Sequence, residues 1–570
     1  MANRDNTLIL HRDDSDSLDF AIWWLLPQLR DLISQDREPD ESSLLLRNLL
    51  LRILNVTPCI TLVLQEFYID RVYRDCYYHH FASKHFEHSR YCSRVFLFDG
   101  NQFESVNNWD SSTLQRNFIG CIVIKPLQCG AIGRTLLSPK YLFEPTIAQQ
   151  IFVRTLRYNV LFHGINLYVN AFPYTMQDGE TLTCAQVTVL NIMDYYSNGY
   201  ADYRFALPSD IYKISQENSY ERTLPSHGMS YSLITKVLSE FGFYPRLYLA
   251  ESNNISDFDM KRILHYYVES AIPVAIGLRK GARDVHSILC IGHGIQDEQK
   301  MLSSLYSLSP TDSGFEKDGA NQDRFYIADT ANSCMDYIVM DDNQIPYSSY
   351  SFEIHGSNLF HTDSYSFNNA YITCLAVPLY KRMFLEAREA FAISTEIITE
   401  SHFELADAYR TTFGDQDSFI NIGSKDNPLI VRLYLASSRS FRSFRINEFG
   451  KEDGINLIYL TTPFPRFIWV CELYDIKHYR EKKVIGEIII DATSSVAAML
   501  NSIILVTLPR RIAARGFSMK SNHEKWNNEV QAANMKDVSD AAFIFFPLDD
   551  WKPVPSYQSN LHLVSNFHNE

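Results

Sequence analysis

The run CAQVTVLNIMDYY, which begins at Cys184, is apolar on every side when it is drawn as a helix. Other elements must enclose such a helix, because a helix at a protein surface keeps one polar face. The segments that can enclose it come later in the chain, as the strand-like runs IPVAIGL, HSILCIGHG and FYIADTA. Helices that come before strands, rather than alternating with them, predict an α+β fold.

Two further regions flank this block. Residues 1–165 open with the helix-like DFAIWWLLPQLRDLI and SSLLLRNLLLRIL and continue with the strand-like RVFLFDG and NFIGCIVIKPL. Residues 379–570 open with the helix-like YKRMFLEAREAFAIS and continue with strand candidates PLIVRLYLA, INLIYL, RFIWVCELY and KKVIGEIIID. We expect three α+β regions, 1–165, 166–378 and 379–570, and a polar, aperiodic surface insertion at about 296–323 in the middle one.

Charge and cysteine usage limit the possible partners and location. The net charge of −15 opposes general binding to nucleic acid. The ten cysteines form no compact framework, which is typical of reduced thiols in the cytoplasm. The first residues lack a signal-peptide core, and Glu487 and Asp491 interrupt the most apolar late stretch. We therefore expect a cytoplasmic protein without a membrane span, and the oligomeric state stays open.

Cys184 is the candidate nucleophile. Thr183 and Gln186 have the spacing of a capping box, which makes Thr183 the N-cap and Cys184 the first helical residue. The helix dipole and the unpaired backbone N–H groups there favour the thiolate, the reactive form of cysteine. The competing interpretation is an ordinary buried cysteine.

Three other residues complete a candidate catalytic group. His286 opens the strand HSILCIGHG and is the candidate base, with His293 as its rival in the same segment. Asp329 ends the strand FYIAD and can fix the tautomer of the imidazole, a role for which Asn332 is the substitute. Gln177 lies shortly before Cys184, where its amide could join an oxyanion hole. Each residue alone also has an ordinary structural explanation.

The order Gln, Cys, His, Asp resembles the papain-like cysteine peptidases, and most of all the double-glycine leader peptidases of bacterial peptide exporters and their stand-alone relatives. The segments that carry the resemblance are CAQVTVLNIMDYY, GMSYSLITKVLSEFGFYPRLY, IPVAIGLR, VHSILCIGHG and FYIADT, within residues 166–378. The resemblance implies a papain-like fold in which Cys184 is the nucleophile, His286 the base, Asp329 the orienting group and Gln177 the oxyanion donor. It implies a protein or peptide substrate and no cofactor.

Three functions stay open on the sequence. The first is a peptidase that cleaves a peptide or isopeptide bond through a thioester. The second is a cysteine acyltransferase, deamidase or transglutaminase-like enzyme with the same residues. The third is a non-catalytic binding module on a papain-like fold.

Two other patterns have weaker functional interpretations. The segment CYYHHFASKHFEHSRYC spaces Cys76, His79, His88 and Cys92 as zinc ligands can be spaced, but an aromatic-rich solvated helix face is the favoured interpretation, and we expect no metal. The run SSRSFRSFRIN, with Arg439, Arg442 and Arg445, is interpreted as a solvated edge rather than an anion site.

Overall fold

A computed structural model describes most of the chain: residues 6–29, 40–85, 87–101, 110–220, 223–226, 228–250, 257–281, 284–308, 325–354, 358–361, 370–413, 421–448, 454–495, 502–514, 546–548 and 551–567. Helices and mainly antiparallel sheets both contribute, so the expected α+β class is confirmed. Among the described residues, no helix combines the length and the apolarity that crossing a bilayer requires.

The helices are α1 Ser15–Leu25, α2 Glu41–Val56, α3 Arg71–His79, α4 Ser111–Asn117, α5 Pro145–Ala148, α6 Cys184–Gly199, α7 Pro208–Glu217, α8 Tyr231–Glu240, α9 Asp257–Glu269, α10 Glu298–Ser303, α11 Ala387–Phe413, α12 Ser438–Glu448, α13 Gly454–Thr461 and α14 Ile476–Arg480. The all-apolar run is α6, and its residues from Ala185 to Tyr196 are buried, as its pattern predicted.

The N-sheet is antiparallel, in the order β1-β2-β3-β4-β5. Its strands are β1 Thr7–His11, β2 Cys59–Tyr68, β3 Cys92–Asp99, β4 Phe118–Ile124 and β5 Ile132–Leu137. A hairpin of β7 Leu156–Phe162 and β8 Ile165–Ala171 packs beside it. The runs RVFLFDG and NFIGCIVIKPL are thus strands, as the enrichment in Val, Ile and Phe predicted.

The ring sheet carries His286. Its strands are β6 Phe152–Val153, β9 Arg246–Leu249, β10 Val274–Lys280, β11 Asp284–His293, β14 Asp336–Met340, β15 Ser348–Ile354, β16 Asn358–His361, β17 Ala370–Val377 and β26 His562–Leu563. Six of these strands pair in the closed order β10-β17-β16-β15-β14-β11-β10, and every pair is antiparallel. A closed ring fixes the neighbours of each strand, so β11 lies between β10 and β14.

The C-sheet has the order β12-β13-β18-β19-β21-β22-β23-β24. Its strands are β12 Tyr306–Leu308, β13 Phe325–Asp329, β18 Leu429–Ser437, β19 Phe467–Tyr474, β21 Gly486–Asp491, β22 Ile503–Leu508, β23 Arg511–Ala514 and β24 Phe546–Pro547. A separate pair joins β20 Lys483–Val484 to β25 Val554–Pro555. The pairing of β13 with β18 is parallel, and the other C-sheet pairings are antiparallel.

The sheets cross both expected boundaries. In the ring sheet, β11 pairs with β6 from the first region, and β6 pairs with β26 from the last. In the C-sheet, β13 from the middle region pairs with β18 from the last. The divisions near residues 165 and 378 stay predictions, and the chain between them does not form its sheets alone.

Two local predictions need correction. INLIYL is not a strand but part of α13, which shows that a short apolar run fits a helix as well as a strand. The segment 296–323 is only partly a surface insertion, because α10 buries Met301 completely in a core cluster with residues of the C-sheet. Residues 309–324 lie outside the described residues.

Candidate active site

Cys184 is the first residue of α6, as predicted. The capping box is present: the Gln186 side-chain oxygen accepts the backbone N–H of Thr183 at 2.9 Å. The preceding turn is held by Asp178, whose carboxylate accepts the backbone N–H groups of Thr181 at 2.7 Å and Leu182 at 2.9 Å. The turn held by Asp178 and the capping box that follows it together fix where the half-buried thiol lies.

His286 projects into the protein from the third position of β11. The preceding residue, Val285, is 61% exposed and His286 is 4% exposed, which is the alternation expected of a strand. One turn into α6, the Thr188 hydroxyl donates to the Cys184 carbonyl at 2.9 Å and lies 3.2 Å from the Ser287 hydroxyl. This contact ties the start of α6 to β11 at the level of His286.

The thiol of Cys184 and the imidazole of His286 are hydrogen-bonded to each other. The Nε2 atom of His286 lies 2.8 Å from Asp341 Oδ1, which leaves Nδ1 as the ring atom available to the thiol. Burial alone would lower the pKa of His286, but the charge of Asp341 and the hydrogen bonds with Asp341 and Cys184 hold it well above its usual value. The imidazolium is therefore the favoured form of the ring at neutral pH.

Asp341 reaches His286 because β14 is the antiparallel neighbour of β11. Met340, the last residue of β14, is paired with Leu289, so the chain that follows β14 runs past His286. The Asp341 carboxylate also accepts the Tyr350 hydroxyl at 2.6 Å and the backbone N–H of Asn343 at 3.0 Å. Burial would raise the pKa of Asp341, but His286 and these donors keep it below its usual value.

Asp329 does not have the place predicted for it. It ends β13 in the C-sheet, where its carboxylate accepts Arg262 Nε at 2.9 Å, the Tyr266 hydroxyl and the backbone N–H of Ala331. The carboxylate beside His286 is Asp341, so the structure does not bring Asp329 to the candidate base, and the orienting role itself stays a prediction. The sequence contained the signal, because the apolar strand within DYIVMDD is followed directly by Asp341. What the sequence lacked was the strand pairing.

Gln177 lies beside the loop that follows Asp341. Its side-chain nitrogen donates to Asn343 Oδ1 at 2.5 Å, and this amide nitrogen has a second hydrogen to offer. Gly130, at a φ of +65°, lies against the Gln177 backbone, and a Cβ there would come within 2.0 Å of the Gln177 carbonyl oxygen. Gln177 is thus held near the site, and its part in an oxyanion hole stays a prediction.

Two residues that the sequence did not single out also lie at the site. The Tyr231 ring, at the start of α8, packs on Gly277 of β10, where a Cβ would come within 2.4 Å of a ring carbon, and the ring is close enough to Cys184 to interact with it electrostatically. Asp342 Oδ1 lies 3.5 Å from His286 Nε2. Burial raises the pKa of Asp342 to about 7, with the charge of Asp341 adding to the rise and that of His286 opposing it.

His293 and Asn332, the alternatives to His286 and Asp329, contact residues other than Cys184. His293 Nε2 lies 2.9 Å from Glu269, which also pairs with Arg432 at 2.8 Å, beside a cavity of about 280 Å³ that these three residues help to line. The Asn332 amide donates to the Ser304 carbonyl at 3.4 Å. Neither contact involves Cys184.

The possible zinc segment and the arginine run both contain residues that make ordinary structural contacts. Cys76 and Cys92 are buried in a core cluster. The His79 ring lies 3.5 Å from the Asp75 carboxylate on the same helix, α3. Of the three arginines, Arg445 is fully buried and bonded to Glu472 and Glu487, so this part of the run is not a solvated edge.

Among the ten cysteines, burial separates Cys184 from most of the others. Cys184 is half-buried and Cys129 is exposed, whereas the remaining eight are buried. Burial raises the pKa of the Cys76, Cys334, Cys374 and Cys471 thiols to about 12, which makes them poor nucleophiles.

Comparison of the sequence with models of known protein families and with curated proteins finds no match in either case.

Proposed function

We propose that the protein is a cysteine hydrolase of the papain-like kind, which cleaves a peptide or isopeptide bond through a thioester on Cys184. The single observation that carries the proposal is the chain of contacts from the Cys184 thiol to the His286 ring and from that ring to the Asp341 carboxylate. A thiol at a capped helix start, paired with a protonated imidazole that a buried carboxylate orients, is the arrangement that nucleophilic thiol chemistry needs.

The proposed reaction uses the two ring nitrogens of His286: Nδ1 exchanges a proton with the reactants, and Nε2 stays bound to Asp341. The Cys184 thiolate attacks the substrate carbonyl, which forms the S–C bond and moves the π electrons onto the oxygen. The Cys184 backbone N–H, with an N–H of Gln177, would stabilise that oxyanion. As the C–N bond breaks, His286 gives its Nδ1 proton to the leaving amine.

Hydrolysis of the thioester returns the enzyme to its starting state. A water molecule attacks the thioester carbonyl and gives a proton to Nδ1 of His286. The S–C bond then breaks, and the products are the carboxylic acid, the Cys184 thiolate and the His286 imidazolium. Asp341 stays ionised throughout, since its role is to hold the ring and to stabilise its positive charge.

The test compares wild-type protein with Cys184→Ala in cell extract, reading new peptide termini and intact masses of target proteins. New termini that appear with the wild type alone support the peptidase. Mass shifts without cleavage would assign the same residues to acyl transfer or deamidation. If both proteins give identical extracts and a thiol-directed, mechanism-based probe does not react with the wild type, the chain is a binding module.

A further inference from the structure

The side chains on the far side of the His286 ring from the thiol form a group of potential metal ligands. His286, Asp341 and Asp342 each offer one ligand atom, and these three atoms lie within 4.8 Å of one another. All three residues are buried. One imidazole nitrogen with two carboxylate oxygens is a donor set that zinc accepts, usually with water as the fourth ligand.

Asp342 gives the second reason to consider a cation. Its side chain is 2% exposed, and within the described part of the chain neither of its carboxylate oxygens has a hydrogen-bond partner. The Lys125 ammonium lies near enough to act on Asp342, but it donates to the Met176 carbonyl at 3.1 Å. A buried carboxylate that accepts no hydrogen bond is costly even with the His286 ring 3.5 Å away, and a bound cation would offset that cost.

Asp341 needs no such help, because His286, Tyr350 and Asn343 already donate to it. The group therefore combines one oriented carboxylate, one unsatisfied carboxylate and one imidazole nitrogen. Softer thiolate ligands are absent from the group, while magnesium and calcium prefer all-oxygen sites with several waters. Among common divalent ions, zinc fits this donor set best.

We propose that His286, Asp341 and Asp342 form a binding site for a divalent transition metal, with zinc as the fitting ion, directly behind the candidate base. On binding, the metal takes the lone pair of Nε2, the Nε2 proton leaves to solvent, and the ion bridges the ring to both carboxylates. No oxidant or further reactant is required.

The consequence for chemistry rests on the proposed hydrolase function. A metal on Nε2 holds the ring in the form that is protonated at Nδ1. The ring then cannot pass between imidazole and imidazolium, so it cannot take up and release the proton that acyl transfer needs. The site would make the enzyme reversibly sensitive to zinc.

Zinc binding is measured by calorimetry on full-length Cys184→Ala protein, so that the candidate nucleophile contributes nothing. We expect one zinc site, and at least tenfold weaker binding when Asp342→Asn is added. The matched control adds His79→Ala, which removes the surface pair with Asp75 (3.5 Å) and should leave the affinity unchanged. Thermal unfolding checks that each protein is folded, and Asp342→Ala replaces the Asn variant if that one fails to fold.

Unchanged affinity in both Asp342 variants, or loss of binding with His79→Ala, would overturn the metal site. Inhibition is a separate measurement: zinc should slow iodoacetamide labelling of Cys184 in the wild type at least tenfold, and a chelator should restore it. Binding without slower labelling would overturn only the inhibitory role. Because binding is measured without the thiol, a failure of the hydrolase proposal leaves that result intact.

Discussion

At the scale of single residues, the proposed chemistry depends on the two nitrogens of His286. One is available to the Cys184 thiol and the other is held by Asp341 at 2.8 Å. Asp341 is in turn fixed by Tyr350 and by the Asn343 backbone. Residue identity alone could not distinguish Asp341 from Asp329, because both are buried aspartates at the end of apolar strands.

Asp341→Ala should lower turnover, and the rate of Cys184 alkylation, by roughly a hundredfold, because the ring loses its orientation and the charge that keeps it protonated. Steady-state kinetics and peptide mapping measure the two effects.

Asp329→Ala is the matched control for a buried aspartate. It should cost about 3–5 kcal/mol of unfolding free energy, because it removes the buried carboxylate that pairs with Arg262, while the folded fraction keeps near-normal turnover. If Asp329→Ala abolishes turnover in folded protein and Asp341→Ala does not, Asp341 is not the orienting residue.

At the scale of elements, α6 and β11 were both predictable, and the pairing of β11 with β14 was not. The capping box of α6 and the exposed–buried alternation of β11 are local, so their signals lie in adjacent residues. The ring sheet places β17 beside β10, where Gly277 is paired with Cys374, 97 positions later in the chain, and no local pattern encodes such pairing. The same limit explains α13, where INLIYL is too short for its period to distinguish helix from strand.

The helix α10 tests how far the segment after β11 belongs to the core. Met301→Ala should lower the free energy of unfolding by about 2–5 kcal/mol, because Met301 is fully buried against residues of the C-sheet. The control is Leu302→Ala on the same helix, which removes a half-buried side chain and should cost less. Denaturant unfolding of both variants measures the two losses of unfolding free energy. Equal small losses would mean that α10 is a surface helix and not part of the core.

At the scale of the whole molecule, the three expected regions share sheets and a core. One cluster of buried residues includes Leu49 of α2, Val189 of α6, Leu289 of β11 and Phe567 near the end of the chain. Composition and periodicity predicted the α+β class. They did not predict that the three regions share sheets and a core, because neither depends on contacts between distant segments of the chain.

The buried histidine His265 gives the molecule a measurable dependence on pH. Burial lowers its pKa to about 3, against an opposing effect of Glu269, and His293 adds to the lowering. Below pH ~6.5 the His265 ring therefore binds a proton in the unfolded chain but not in the folded protein. The free energy of unfolding consequently falls as the pH falls. This group alone should remove about 2 kcal/mol between pH ~6.5 and ~5.

His265→Leu should remove that part of the slope and leave stability above pH ~7 with little pH dependence from this site. Free energies of unfolding for both proteins at pH 5, 6 and 7 measure the difference. Equal slopes in the two proteins would mean that folding does not lower the pKa of His265.

The central claim is that Cys184 is activated by His286, and the most direct measurement is limited alkylation of the whole protein. Limiting iodoacetamide near pH 7, followed by peptide mapping, should label Cys184 before the exposed Cys129 and before the eight buried thiols. His286→Ala should slow the labelling of Cys184 at least tenfold without changing that of Cys129, and Thr183→Ala should slow it less, since the cap is worth about 1 kcal/mol. If Cys129 is labelled first and His286→Ala leaves the rate at Cys184 unchanged, Cys184 is not activated and the account is contradicted.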